Sequence, residues 1–283
     1  MNQNKFLIQV TLQDTFLHRL NGETKVRLFV VALVAVIMSF DLRILVPILL
    51  ASSLGVLFSK PNWKSIRIVF LIVVGVNLLN LILFYLANPS LGEYWCGENT
   101  IIHQFSTRYY VSVETLWYLL VRFIKMVTSF MVSLWFILTI TPSQFAAGLA
   151  AHRVPYKVAT IVSLGFRYIP DIARDYENIK LSMQMRGVEL DPKKASISKR
   201  LKQSLLILIP LIITSFDRVS TIANGMDLRG FGRGKRRSYY VEQDPTVWDK
   251  RVRFITNLVF ILSIVYIVGS MIWPAPTNMW CPL

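Results

Sequence analysis

The sequence predicts an all-α integral membrane protein. Of its 283 residues, 54% are hydrophobic, and the mean hydropathy is +0.49. Several long runs are nearly free of charged residues, which is typical of helices that cross a bilayer. Between the last two of these runs lies a basic block with helical spacing of its apolar residues. We therefore expect about five transmembrane helices together with long amphipathic helices in the cytoplasm.

Five apolar runs are candidate spans, judged against the roughly 20 residues that a helix needs to cross a membrane. They are residues 28–40, 42–58, 68–87, 111–140 and 254–273. The first two are short and are separated by Asp41, so we expect a tight helical hairpin whose flanking Lys25 and Arg27 reach the membrane surface. We expect no cleavable signal peptide, because the first run lacks a small-residue cleavage site and continues into a second span.

Basic residues give the predicted orientation in the cell membrane. Residues 180–253 hold sixteen Lys or Arg and seven Asp or Glu, a net +9 of the chain's +15. The positive-inside rule places this segment and the N-terminus in the cytoplasm, residues 88–110 outside, and the C-terminus outside. Because the charges flank membrane spans and no nucleic-acid motif occurs, we attribute them to topology and to anionic lipid of the bilayer.

Three regions follow from this reading. Residues 1–140 hold a short N-terminal segment and four spans, residues 141–253 form a cytoplasmic helical region, and residues 254–283 hold the final span and an external C-terminus. The apolar stretch 205–213 is expected to be too short to span and to be cut by Pro210. An amphipathic helix of this kind suits the membrane interface, and it equally suits docking to a soluble partner.

One short phrase occurs twice, 43 residues apart, as Met183-Gln184-Met185-Arg186-Gly187 and Met226-Asp227-Leu228-Arg229-Gly230. Each copy closes an apolar stripe with helical spacing; the stripes are Ile172, Tyr176, Ile179 and Met183, and Phe216, Val219, Ala223 and Met226. Gly takes the left-handed conformation just past a helix end, and Arg meets the negative end of the helix dipole. Two helices capped independently would also give this pattern. Two matched ends indicate instead that two similar surfaces are bound.

The chain resembles the transmembrane T component of energy-coupling-factor transporters, the vitamin and metal-ion importers of bacteria and archaea. The two Arg-Gly motifs carry the resemblance, with support from Phe166-Arg167-Tyr168-Ile169-Pro170, Thr141-Pro142 and His18-Arg19-Leu20. The family's triplet usually begins with Ala, whereas Met185 and Leu228 stand at that place here.

The resemblance implies an energy-coupling subunit. The two motifs, Met185, Arg186 and Gly187 with Leu228, Arg229 and Gly230, would seat in grooves of two ABC ATPase subunits. The stripe residues Ile179, Met183, Ala223 and Met226 would pack between helices or against a small substrate-binding membrane subunit, the S component. The chain itself would be no enzyme and would hold no cofactor or metal, and the transported compound is not encoded in it.

Other residues leave alternatives. Asp171 and Asp175 share a helix face and could hold a magnesium ion, as in a membrane prenyltransferase, although Arg167 and Arg174 are near enough to pair with them. The permease of a conventional ABC importer is a further alternative, but such permeases usually present one coupling helix. No phosphate-binding loop occurs.

Two further features concern single residues. Arg122 and Lys125 lie inside the fourth apolar run, where a structural or a functional role is open. Cys96 and Cys281 both fall outside the cell in this topology; they could pair, and two unpaired thiols is the default expectation.

Overall fold

The structure is a computed structural model that describes residues 20–59, 61–96, 100–104, 110–152, 154–187, 197–234 and 245–272. The described residues are almost entirely helical, as predicted. They form α1 (Gly22–Met38), α2 (Leu42–Phe58), α3 (Trp63–Ala87), α4 (Leu91–Cys96), β1 (Ile101–Gln104), β2 (Tyr110–Ser112), α5 (Val113–Thr139), α6 (Pro142–Ala151), α7 (Tyr156–Met185), α8 (Ile197–Leu228) and α9 (Val247–Ile272).

Three of these helices are long and apolar enough to cross a membrane by length and composition, within the residues described. They are Ile66–Ala87 in α3, Val113–Thr139 in α5 and Leu205–Leu228 in α8, and α2 is a shorter apolar helix. The predicted spans 68–87 and 111–140 therefore correspond to α3 and α5. The predicted spans 28–40 and 254–273 lie in α1 and α9, with Trp273 outside the described residues.

The expectation that residues 205–213 are too short to span is wrong. Pro210 lies inside α8 without ending it, so the apolar segment continues to Leu228. Proline removes one backbone donor, the one that would bond the Leu206 carbonyl, and an internal proline can bend an α-helix without ending it. One turn later, the hydroxyls of Thr214 and Ser215 donate to carbonyls of their own helix, at 3.0 Å to Pro210 O and 2.6 Å to Leu211 O.

The predicted break between the first two apolar runs is confirmed at Asp41. This residue is extended, and its carboxylate accepts a hydrogen bond from the Arg43 backbone N–H at 3.0 Å, which caps the start of α2. A carboxylate at a helix N-terminus also meets the positive end of the dipole. One acidic residue thus explains why two adjacent apolar runs become two helices.

The segment between α3 and α5 contains structure that the sequence pattern did not predict. It holds the short helix α4 and an antiparallel pair of strands, in which His103 lies opposite Val111. Cys96, at the end of α4, is disulfide-bonded. The default expectation of two unpaired thiols is therefore wrong for Cys96, and Cys281 lies outside the described residues.

Contacts divide the chain into two compact units, residues 1–148 with 243–283, and residues 149–242. In the first unit, α5 packs against α1, α2, α3 and α4. Phe136 of α5 stacks on Phe29 of α1 with 4.1 Å between ring centroids. Burial of such aromatic rings contributes both apolar area and a favourable ring geometry. The helix α5 is thus the central element of this unit.

Two lysines join α1 and α5 at opposite ends of the pair. Lys25 of α1 donates to the carbonyl of Thr139, the last residue of α5, at 2.8 Å. Lys125 of α5 donates to the carbonyl of Ile37, in the last turn of α1, also at 2.8 Å. The last four carbonyls of a helix lack intrahelical partners and carry the negative end of the dipole. Each helix therefore caps the C-terminus of the other, which gives Lys125 a structural role.

A polar cluster joins the start of α1 to the start of α9. Asp249 accepts hydrogen bonds from Thr24 Oγ1 and from the Asn21 N–H, both at 3.0 Å, and Arg253 pairs with Glu23 at 2.8 Å. Burial alone would raise the pKa of Asp249, but its hydrogen bonds with Thr246, Asn21 and Thr24 outweigh burial and hold the pKa below its usual value. Nearby, burial lowers the pKa of Lys25 to about 8, against the opposing attraction of Asp249.

Candidate functional site: two Arg-Gly helix ends

Both repeated motifs end a long helix of the second unit. We call residues 185–187 tip 1 and residues 228–230 tip 2. At tip 1, α7 ends at Met185, and Gly187 has φ +86°. At tip 2, α8 ends at Leu228, and Gly230 has φ +69°. The left-handed conformation predicted for both glycines is confirmed, and a side chain there would strain the turn.

Hydrogen bonds close both turns in a similar way. At tip 1 the N–H of Arg186 donates to the Met183 carbonyl at 3.1 Å, and the N–H of Gly187 donates to the Gln184 carbonyl at 3.0 Å. At tip 2 the N–H of Gly230 donates to the Asp227 carbonyl at 2.9 Å. The chain therefore turns away immediately after each Arg. This leaves the arginine at the outer corner of the turn.

The side chains of both tips face outward in the unit. Met185 is 84% exposed and Leu228 is 90% exposed, the highest values among the described large apolar residues. Arg186 and Arg229 are also exposed. Large apolar side chains held this far into solvent, beside a cation, are typical of an interaction site that awaits a partner. Both tips thus present the same combination of an exposed apolar side chain, an exposed arginine and a left-handed glycine.

The helices α7 and α8 run antiparallel, so the tips lie at opposite ends of the pair. Tyr156, at the start of α7, packs edge-on against Phe231, just past tip 2, with 5.7 Å between ring centroids. Farther along α7, Asp175 meets Arg218 of α8 in an ion pair. As α7 proceeds towards tip 1, its neighbours on α8 move away from tip 2. The two tips cannot therefore enter one common groove.

The ion pair between Asp175 and Arg218 lies at equivalent positions of the repeat. Each residue stands eleven positions before the arginine of its own tip. Eleven residues are about three helical turns, or about 16 Å, so each charge lies on nearly the same face as its tip arginine. The contact is thus about equally far from both tips, and the tips are on the order of 30 Å apart.

Sequence reasoning missed this pair. We expected Arg167 and Arg174 to pair with the two aspartates, and Arg174 does meet Asp171 at 3.5 Å. Asp175 pairs instead across the helices with Arg218. The 43-residue offset between the motifs contained the signal, because applying that offset to Asp175 gives a residue of opposite charge.

The predicted stripe residues are placed differently from one another. Ile179, Met183 and Met226 are half-buried, while Ala223 is exposed. Other apolar side chains of α7 and α8 remain exposed, among them Ile161, Ile169, Phe216 and Val219. The contact between the two helices therefore leaves part of their apolar surface uncovered within this unit.

Within the described residues no group of three or more His, Cys, Asp or Glu side chains is placed to hold a metal ion.

The charged Arg122, inside the fourth apolar run, has partners on two helices of the first unit. Arg122 lies with its guanidinium carbon 3.4 Å from the centroid of the Phe84 ring and donates to the Tyr118 hydroxyl at 3.1 Å. This arrangement ties α5 to α3 inside the apolar region.

Comparison with known proteins decides the family. The family model CbiQ, described as cobalt transport protein, matches residues 13–240. The chain belongs to this family. It is 24% identical to the energy-coupling factor transporter transmembrane protein EcfT of Lactococcus lactis subsp. cremoris, over 95% of this chain and 99% of the relative. It is 26% identical to the EcfT of Bacillus selenitireducens, over 80% of this chain and 84% of that protein.

A third relative supports the same assignment over a shorter stretch. The EcfT of Exiguobacterium sibiricum is 35% identical over 34% of this chain and 36% of its own length. The resemblance suggested by the two Arg-Gly motifs is thereby confirmed. The protein is a transmembrane T component of the energy-coupling-factor class, and it is a membrane subunit of a transporter.

Proposed function

We propose that this T component couples two ABC ATPase subunits to a small substrate-binding membrane subunit that imports a vitamin or a metal ion. The observation that carries the proposal is the pair of matched, exposed Arg-Gly tips at opposite ends of an antiparallel helix pair. Each tip offers the same chemistry, and their separation on the order of 30 Å suits two bodies rather than one.

Each residue of a tip has a separate role in this proposal. Arg186 and Arg229 fork to carboxylates or backbone carbonyls in a groove of one ATPase. Gly187 and Gly230 turn the chain away, so that the ATPase surface approaches the helix end closely. The exposed apolar side chain before each arginine fills a pocket beside it, as a small buried anchor does in other interfaces.

The helix pair transmits motion between the partners. When ATP binding draws the two ATPases together, both tips are displaced, and α7 and α8 must change their crossing angle or move as one body. The ion pair between Asp175 and Arg218 favours movement as one body, because it joins the two helices ten residues before the end of each. The exposed apolar faces of both helices then carry the motion to the substrate-binding subunit. The stripe of Ile179, Met183, Ala223 and Met226 belongs to this transmitting region.

The orientation in the cell membrane supports the same arrangement. From the basic segment 180–253 we infer that both tips and the N-terminus lie in the cytoplasm, where ATPases act, and that the C-terminus lies outside. By length and composition α8 could cross the membrane, but Arg218 in its middle pairs with a helix that is not a candidate span. A charged pair at this place favours a helix that lies at the membrane face.

Uptake measurements with the reconstituted complex test the proposal. The T component is co-expressed with its two ATPases and its substrate-binding subunit, and both Arg186 and Arg229 are replaced by Ala. We expect uptake to be lost and copurification of the ATPases to fall at least tenfold, with membrane insertion unchanged. Arg174→Ala, which alters an exposed arginine on α7, is the matched control. Normal uptake by the double variant would overturn the proposal.

A further inference from the structure

The last helix of the first unit is fixed at both ends by polar contacts. At its start, Asp249 accepts hydrogen bonds from Thr24 and from the Asn21 backbone. Near its other end, the Tyr266 hydroxyl donates to the Asp41 carboxylate, which is buried and caps α2. These contacts hold α9 against α1 at one end and against the start of α2 at the other. The space between them is therefore defined by the fold.

A crevice occupies that space. It consists of two open cavities, one of about 330 Å³ bounded by α1, α2, α5 and α9, and a wider one of about 550 Å³ between α2 and α9. Ile48 and Val259 line both cavities, so the two adjoin. Apolar side chains that line such an open cleft gain contacts when an apolar group fills it.

Apart from Arg43 and Tyr266 at its mouth, the crevice is lined by apolar side chains and three hydroxyl residues. The hydroxyls of Ser52, Thr256 and Ser263 donate to carbonyls of their own helices, at 3.1 Å to Leu49 O, 2.7 Å to Val252 O and 2.8 Å to Val259 O. None of the three hydroxyls requires water in the crevice. The lining favours a hydrocarbon chain and gives no support for a hydrated ligand.

The length of the crevice matches one lipid chain. On α2 its lining runs from Arg43 to Gly55, and on α9 from Ile255 to Tyr266. At 1.5 Å per residue both stretches measure about 17 Å. The hydrocarbon core of a bilayer is roughly 30 Å thick, so one leaflet supplies acyl chains of about 15 Å.

A cation lies at the mouth of the crevice. The exposed Arg43 lines the wider cavity beside Tyr266. The Arg43 side chain hydrogen-bonds to Tyr266, whose hydroxyl donates to the buried carboxylate of Asp41. The mouth therefore presents a guanidinium group that is held in place by the fold. A guanidinium group binds phosphate oxygens with its planar fork, and tyrosine is common where lipid headgroups begin.

We propose that the crevice binds a phospholipid, with the phosphate at Arg43 and one acyl chain inserted between α2 and α9. The lipid completes the packing of α9 against the rest of the first unit. In the orientation proposed above it belongs to the outer leaflet. The site is independent of the tips and of the docking of the ATPases.

Fluorescence quenching by brominated lipid tests the site directly. Trp135 lines the inner cavity and is 5% exposed, so annular lipid cannot reach it without entering the crevice. The full chain is reconstituted in phosphatidylglycerol vesicles whose acyl chains carry bromine. We expect a quenched component that disappears in Trp135→Phe. Ala51→Phe, which fills the inner cavity, should remove the same component.

A second measurement does not depend on the filled variant. Phospholipid that remains bound after detergent purification is counted by native mass spectrometry. We expect one retained lipid for the unaltered chain and at least a fivefold loss of occupancy in Arg43→Gln. Arg67→Gln, at the exposed start of α3, is the matched control and should keep its lipid. Unquenched Trp135 together with equal lipid retention in both arginine variants would overturn the proposal, as would crosslinking of a partner helix into the crevice.

Discussion

Removal of the carboxylate charge of Asp175, where α7 crosses α8, provides the sharpest test of whether the ion pair with Arg218 makes the two helices move together. Asp175→Asn removes one partner of the ion pair, and Asp171→Asn on the same helix is its control. Both changes delete one carboxylate charge within one turn of α7. They differ in what the carboxylate meets, Arg218 of the neighbouring helix in one case and Arg174 of the same helix in the other.

The structure gives the expected sizes. The side chains of Asp175 and Arg218 are 28% and 31% exposed, so removal of the acid leaves a half-buried, unpaired guanidinium at a cost of about 1 to 2 kcal/mol. The side chains of Arg174 and Asp171 are 76% and 41% exposed, and such a pair contributes at most about 0.5 kcal/mol. One to two kcal/mol corresponds to roughly a 5- to 30-fold change in a two-state equilibrium.

The assay compares transport with ATP hydrolysis in reconstituted vesicles. Asp175→Asn should lower the number of substrate molecules imported per ATP by about fivefold or more, because the helix pair no longer moves as one body. Asp171→Asn should leave this ratio nearly unchanged. The exchanged pair, Asp175→Arg with Arg218→Asp, should restore most of it. Equal ratios in the two single variants, or no recovery in the exchanged pair, would refute the assigned role.

Three further predictions concern the apolar residues of the two tips, the buried Lys25 and the two cysteines. Truncation of Met185 and Leu228 to Ala should weaken retention of the ATPases in pull-down experiments several-fold while Arg-dependent binding persists; unchanged retention would remove the anchor role. For Lys25 the folded pKa of about 8 lies below the usual value near 10.5, so the unfolded chain binds more protons between these pH values. Stability should therefore rise with pH across this window, by at most about 3 kcal/mol, and thermal unfolding of Lys25→Met should lack the rise. After reduction, a membrane-impermeant thiol reagent applied to intact cells should label Cys96 and Cys281, and protection of Cys281 until the membrane is opened would contradict the external C-terminus.

Local sequence patterns predicted much of the architecture. The break at Asp41 was visible because a single acidic residue between two apolar runs both interrupts a span and caps the next helix. The left-handed glycines were visible because the Arg-Gly ending recurs. In each case one or two adjacent residues determine the backbone, so no knowledge of distant contacts is needed.

Features that depend on distant residues could not be predicted in the same way. Helix α8 continues through Pro210, because a proline removes a single backbone donor while the long apolar helix around it keeps its other bonds. The partner of Asp175 is set by how two helices cross, and local spacing suggested a nearer arginine. The two strands before α5 are only four and three residues long, and any alternation is too brief to distinguish them from a loop.

The paired lysine caps constrain how the chain is assembled in the membrane. Lys25 and Lys125 belong to helices that enter the bilayer far apart in time, since α5 is synthesised about 100 residues after the start of α1. Until α5 arrives, the last carbonyls of α1 and the ammonium group of Lys25 must depend on water or on other temporary partners. The contacts between α1 and α5 in the first unit therefore cannot form before α5 has been inserted. A ribosome stalled before residue 125 should leave α1 only loosely held, and membrane quality-control proteases would recognise that state more readily than the completed unit.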